Sequence, residues 1–268
     1  MTSTTDYHEV VAAYYNSEAD SFEKRAGENH VLETLRGRFR SKVLELKPTQ
    51  LLEIGYGPGL DLTFFADQSE IEAVYGLDIA EEFCKIAQSK AELRGDGKIR
   101  PKTGHAEQIG EIWQGVKVDT VYVFFGALNT TKNLSKAAEE IHSILGESGK
   151  IVITFVNKWY LFDVVWNLIT LRWSKAFARF KAVWTGYSPT RDLPSKCWTS
   201  REVHKAFKPR YKRIHREGYC ITHPAWYRKQ WAPKDSIRSK SLYLFDKILQ
   251  YTPFWNLGEY SLYVYEKK

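Results

Sequence analysis

The sequence predicts an α/β fold, an open sheet with helices on both faces, and three observations predict it. Short apolar runs that read as buried strands alternate with longer stretches at helical spacing. The first run, residues 51–55, ends in an acid, Glu53, and turns at once through glycines at alternate positions, Gly55, Gly57 and Gly59, into a helical pattern. The next run ends in a second acid, Asp78, roughly 20 residues further on, the spacing at which a nucleoside-binding sheet presents a carboxylate.

Each element follows from its own signals. Residues 8–46 read as two helices separated by the Gly27-Glu28-Asn29 break, with apolar positions such as Val31, Leu35, Phe39 and Val43 on one stripe. Lys47-Pro48-Thr49-Gln50 stops the second helix and leads into strand one. Glycine at the turn that follows supplies unusual backbone angles and close approach, and the helix from Leu60 to Ala66 presents free amides, so a nucleotide-like ligand fits there. Residues 72–79 form strand two and residues 81–94 a helix. Residues 98–104 form a weaker strand that Pro101 assigns to an edge or an early position. Residues 118–125 form a continuous apolar strand, residues 133–145 a helix, 146–150 a turn and 151–156 a fifth strand. Late β patterns occupy 211–222 and 259–266.

The chain has 268 residues, enough for one large domain with elaborations, and its 43% hydrophobic and 15% aromatic content excludes a disordered class. Cys84, Cys197 and Cys220 lack metal-ligand spacing and are odd in number, which fits a reducing cytoplasm and suggests no zinc or disulfide framework. No secretion signal and no uninterrupted membrane-length apolar run is read. The net charge of +7 divides into −7 over residues 1–150 and +14 over 151–268, and eight of the nine tryptophans lie in the basic part.

The order Glu-x-Gly-x-Gly-x-Gly at 53–59 resembles motif I of the class I S-adenosylmethionine (SAM) dependent methyltransferases, whereas a dinucleotide fingerprint would need glycine where Leu60 stands. The likeness extends in order to the helical lid segment, to Asp78, to Gly104-His105-Ala106-Glu107 and to the turn before strand five. It implies a Rossmann-like seven-stranded mixed sheet of order 3-2-1-4-5-7-6, strand seven antiparallel, with helical insertions around strand six. It also implies SAM as cofactor. The implied contacts are Glu53, Gly55, Tyr56, Gly57 and Gly59 at the loop, Asp78 on the ribose and His105 at the adenine, with Ile79, Phe83 and Ala106 also on the cofactor. Tyr14 from the lid and Phe125 after strand four complete that set. His105 stands where the family usually has an acid. Within one domain, residues 1–46 are the lid, 47–157 the SAM-binding core, 158–208 an aromatic and basic insertion, and 209–268 strands six and seven with a second insertion.

Methyl transfer needs positioning and, for some acceptors, a base. Tyr15, His30 and Asn129 are the catalytic candidates, with His8 and His223 also near the rim; no metal ligand set is read. The run 158–182 reads as one helix with a narrow polar stripe, Asp163, Asn167, Thr170 and Ser174, and an otherwise apolar first half. It either packs on the core or meets the interface of an anionic membrane, which would make the protein peripheral at the inner face. The expected acceptor is small and hydrophobic or lipid-like, reached through Trp159, Trp166 and Trp173. Nucleic acid is disfavoured, because no Asn/Asp-Pro-Pro-aromatic signature follows strand four. A non-catalytic membrane module, an RNA methyltransferase and an NAD-dependent oxidoreductase remain as alternatives.

Overall fold

A computed structural model describes residues 6–184 and 193–268. Helices α1 (Tyr7–Gly27) and α2 (His30–Leu44) precede the alternating unit β1 (Gln50–Ile54), α3 (Leu60–Ala66), β2 (Ala73–Asp78), α4 (Glu81–Arg94) and β3 (Ile99–Thr103). The short α5 (Ile109–Ile112), β4 (Val118–Val123), α6 (Leu134–Ile144) and β5 (Leu145–Val156) follow. Then come α7 (Leu161–Ile169), α8 (Trp173–Ala176), α9 (Ser200–Phe207), β6 (Tyr211–Tyr219), α10 (Ile237–Leu249) and β7 (Tyr260–Lys267). The strands form one sheet of order β3-β2-β1-β4-β5-β7-β6, in which β7 alone runs antiparallel to its neighbours. This is the order expected, and β3, with Pro101 opposite Gly76, is indeed an edge.

Alternation of side chains sends Leu52, Ile54, Val121 and Val123 to a core under α6 and α9, and Leu51, Tyr122 and Val152 to a core under α2, α3 and α4. Fully burying a Phe or Leu contributes about 1.5–3 kcal/mol, so the stripe Val31, Leu35, Phe39 and Val43, each wholly buried, pins α2 firmly. Asn29 caps that helix, accepting from the amides of Val31 and Leu32. Helix α1 is different: only Val11 and Ala19 are buried, and polar contacts such as Lys90–Glu23 at 2.9 Å hold it against α4.

Two expectations change. The turn at 146–150 lies inside β5: pairing jumps from Val118–Leu145 to Thr120–Lys150, and the glycine-bearing segment between loops out with Ser148 at φ 58°. The helical run over 158–182 is broken as well. Leu171 adopts φ 57°, the Arg172 amide turns back to the Asn167 carbonyl at 2.7 Å, and α7 ends after nine residues. The polar stripe of α7 faces inward. Asp163 accepts from Tyr227 at 2.8 Å, pairs with Arg228 at 2.8 Å, and lies 3.7 Å from Arg179, which reaches Glu259 at 2.7 Å.

Both insertions leave from the carboxyl edge of the sheet. β5 ends there, β6 runs parallel to it, and β7 starts there. That is the edge at which an open α/β sheet binds ligands. No helix among the described residues is long and apolar enough to cross a membrane.

Candidate cofactor and acceptor site

A cavity of about 580 Å³ opens at this edge, roofed by α1. Its floor is the glycine loop. Gly55 sits at φ 76°, and a Cβ there would overlap the Ala127 side chain, so glycine is required by both conformation and space. The amides of Gly57 and Ala80 donate to Asp78 at 2.8 and 2.9 Å, which ties the loop to the end of β2. Burial outweighs those donors and pushes the Asp78 carboxyl up to about 6.

At one end His105, Glu107 and His8 gather. The His8 and His105 rings stack at 3.7 Å, and His105 Nδ1 lies 3.0 Å from the Glu107 carboxylate. Burial and the neighbouring His105 lower the His8 pKa. Burial alone would raise Glu107, but His105, the Asn133 amide and His8 together hold it at about 2. The three offer ligand atoms within 4.8 Å of one another, the described residues' one such grouping of metal-ligating type. Since His8 lies on α1, this cluster ties the roof to the loop after β3.

The other end is aromatic. Tyr14, Tyr15 and Phe22 descend from α1, Phe124 and Phe125 follow β4, and Trp226 and Tyr260 come from the second insertion and the start of β7. Phe125 takes φ 52° at the turn, which re-aims its ring, and the Arg36 guanidinium lies 4.7 Å over it. Arg36 and Arg40 both pair with the buried Asp61 of α3.

Residues 51–149 match the family model described as a methyltransferase domain. Over those residues the chain carries the sequence pattern of a methyltransferase domain. No curated protein matches the chain by sequence. Solved structures share the whole architecture at low identity. A geranyl diphosphate C-methyltransferase from Streptomyces coelicolor A3(2), crystallised with Mg²⁺, geranyl diphosphate and S-adenosyl-L-homocysteine, superposes with TM-score 0.60 at 14% identity, over 99% of this chain and 98% of that one. The [4+2]-cyclase SpnF gives 0.63 at 15%, over 96% and 94%. Phosphoethanolamine N-methyltransferase 2 of Haemonchus contortus gives 0.61 at 15%, over 99% and 60%.

In this methyltransferase domain and its roof, Tyr14, Tyr15, Gly55, Gly57, Asp78, Ile79, Phe83, His105, Ala106 and Phe125 all line the cavity. Five other sequence-selected residues lie outside the lining. Gly59, at φ 78°, starts α3 close against Ala87. Tyr56 fills the space over Gly76 and donates to the Lys102 carbonyl at 3.2 Å. Glu53 is buried behind the loop, accepting from Tyr122 at 2.9 Å, and burial and the Asp61 carboxylate raise its pKa well above the carboxylate range. Asn129 donates to the Val156 and Lys196 carbonyls and accepts from the Val156 amide, so its amide staples β5 to residue 196. His30 bonds the Ala232 carbonyl at 3.1 Å. Of the two further rim candidates, His8 lines the cavity, whereas His223 stacks on Tyr243 away from it, its pKa lowered by burial to about 4.

The route through the first insertion is also corrected. Trp159 and Trp173 are exposed and Trp166 packs on Trp231 at 4.5 Å, so none of the three reaches the cavity. Sequence reasoning missed Glu18, Leu193 and Tyr260, which lie far apart along the chain and carry no spacing signal, and it named Glu107 only as part of the motif after strand three.

Proposed function

We propose that this protein transfers a methyl group from SAM to a small, hydrophobic acceptor held under α1. One observation carries the reading: a single cavity joins the Gly55–Asp78–Ala106 rim to a wall of Tyr14, Tyr15, Phe22, Phe125, Trp226 and Tyr260. Its volume of about 580 Å³ lies in the range of small-molecule sites. SAM supplies an electrophilic methyl carbon on a sulfonium, open to in-line displacement.

The chain's residues do the positioning. Asp78 accepts from ribose hydroxyls with the lone pairs left beside the Gly57 and Ala80 amides. Ile79 and Ala106 flank the adenine, with His105 toward its edge. The aromatic wall excludes water and orients the acceptor's apolar body, which is where most of the rate of such a displacement arises. Tyr15 is partly buried in the cavity wall, and desolvation raises its pKa, so it stays a phenol and donates rather than abstracts. His8, kept neutral by burial and by His105, is the base available where an acceptor must lose a proton. Enclosure by aromatic rings, with the Arg25 and Arg36 guanidinium groups of the lining both paired to acids, disfavours a nucleic-acid acceptor.

The test is incubation with methyl-labelled SAM and separate lipid, aqueous and nucleic-acid extracts of the source cell. Label in the lipid extract supports the reading. Label only in nucleic acid overturns the acceptor class, and no label together with no SAM binding by calorimetry overturns the enzyme.

A further inference from the structure

Sixteen large hydrophobic side chains are exposed among the described residues, and fourteen of them lie in the two insertions. Their arrangement inverts the usual surface helix. On α7 the polar Asp163 turns inward onto the Tyr227–Arg228–Arg179 cluster and Asn167 is buried beside it, while Val165 and Ile169, one turn apart, face out with Trp173 beyond them. Ile169 is 71% exposed and Trp173 61%. On α10 the buried Asp246 accepts from the Ile221 and Thr222 amides, and Leu244 and Ile248, again one turn apart, face out.

The two insertions touch one another. The Leu161 amide at the start of α7 donates to the Leu257 carbonyl at 3.0 Å, and the Leu257 amide donates to the carbonyl of exposed Phe254. The Trp166–Trp231 contact joins the insertions again, and Trp226, at the start of the same turn of chain as Trp231, lines the cavity.

Charge identifies the occupant. Residues 158–184 and 224–258 hold 11 Lys and Arg against 3 Asp and Glu; Asp163 and Asp246 are turned inward, as are the paired Arg179 and Arg228, which leaves 9 cations beside Asp235. An apolar face ringed by cations fits the headgroup and acyl boundary of an anionic bilayer. A second copy would bring the same positive ring against itself.

We propose that the two insertions together dock the protein onto the surface of an anionic lipid bilayer, with the cavity edge next to the membrane. The docking does not depend on the methyl-transfer reading. It extends the face expected from residues 158–182 to the second insertion.

The experiment uses the full chain in flotation with phosphatidylcholine vesicles, with and without phosphatidylglycerol. The protein floats with the anionic vesicles, its tryptophan fluorescence is quenched by brominated acyl chains, and Trp173→Phe reduces the quenching. Arg172→Gln and Lys175→Gln weaken partitioning on the order of fivefold per charge removed. Ile169→Asn with Ile248→Asn weakens it further while leaving circular dichroism and SAM binding unchanged. Failure to float with anionic vesicles at low ionic strength overturns the proposal. So does self-association that the same substitutions abolish, which would assign the face to a second copy.

Discussion

Asp78 is a buried acid with two backbone amides already on its oxygens, and in the proposed site it would accept from ribose hydroxyls while ionised. Because its folded pKa is raised to about 6, the empty protein gains stability from this group as pH falls from about 6 toward the ordinary carboxylate value. Binding has the opposite sign. SAM affinity should hold above pH 6 and fall roughly tenfold per pH unit below it, measured by calorimetry across pH. Asp78→Asn should bind weakly at every pH. Gly55→Ala should cost about 2–4 kcal/mol in denaturant unfolding, from the left-handed backbone and the overlap with Ala127. Both residues were legible, because glycine spacing and an acid at a strand end carry their own mechanism. Asn129 and His30 were not. Their side chains suit catalysis, but whether their lone pairs are already committed depends on Val156, Lys196 and Ala232, distant in sequence.

Helices α1 and α2 read alike as apolar periodicities, yet α2 buries a full stripe and α1 buries two side chains. α1 is therefore the less firmly held of the two. Amide hydrogen exchange over residues 7–27 should be faster than over 30–44 and should slow when SAM binds. His8→Ala should speed exchange in the first turns of α1 by removing the stack on His105 and the contact with Glu107. In the first insertion, the Arg179–Glu259 pair fastens the segment after α8 to the start of β7, both partners buried. Arg179→Met should cost about 3–5 kcal/mol by leaving Glu259 buried beside Asp163 without its partner, and Arg179→Met with Glu259→Leu should recover much of that, both read by denaturant unfolding. The polar stripe of this insertion was visible in sequence, but its direction was not. Periodicity defines a face, and only the acceptors and cations of other segments decide which way that face turns.

At the scale of the whole molecule, an acidic α/β core carries two basic, aromatic insertions on one edge, beside the cavity. If that cavity holds SAM in the folded state alone, saturating SAM at about 100 times its Kd should stabilise the fold by about 2.7 kcal/mol. For a chain of this size that raises Tm by about 5–10 °C. NAD at the same concentration should not, and a shift with NAD would revive the oxidoreductase reading.

Local grammar determined a good deal by itself. Strand runs, helix stops, the glycine loop and Asp78 are encoded within a few neighbouring residues, and the methyltransferase likeness they carry implied the sheet order and most of ten cavity residues before any contact was known. Tertiary structure alone decided which polar side chains were already spent, as at Asn129, Tyr56 and Glu53, and which apolar ones were left over. Those questions turn on partners separated by tens to hundreds of residues. A side chain's hydrogen-bonding capacity and its exposure to water belong to the packed neighbourhood, and the sequence around it does not contain that neighbourhood.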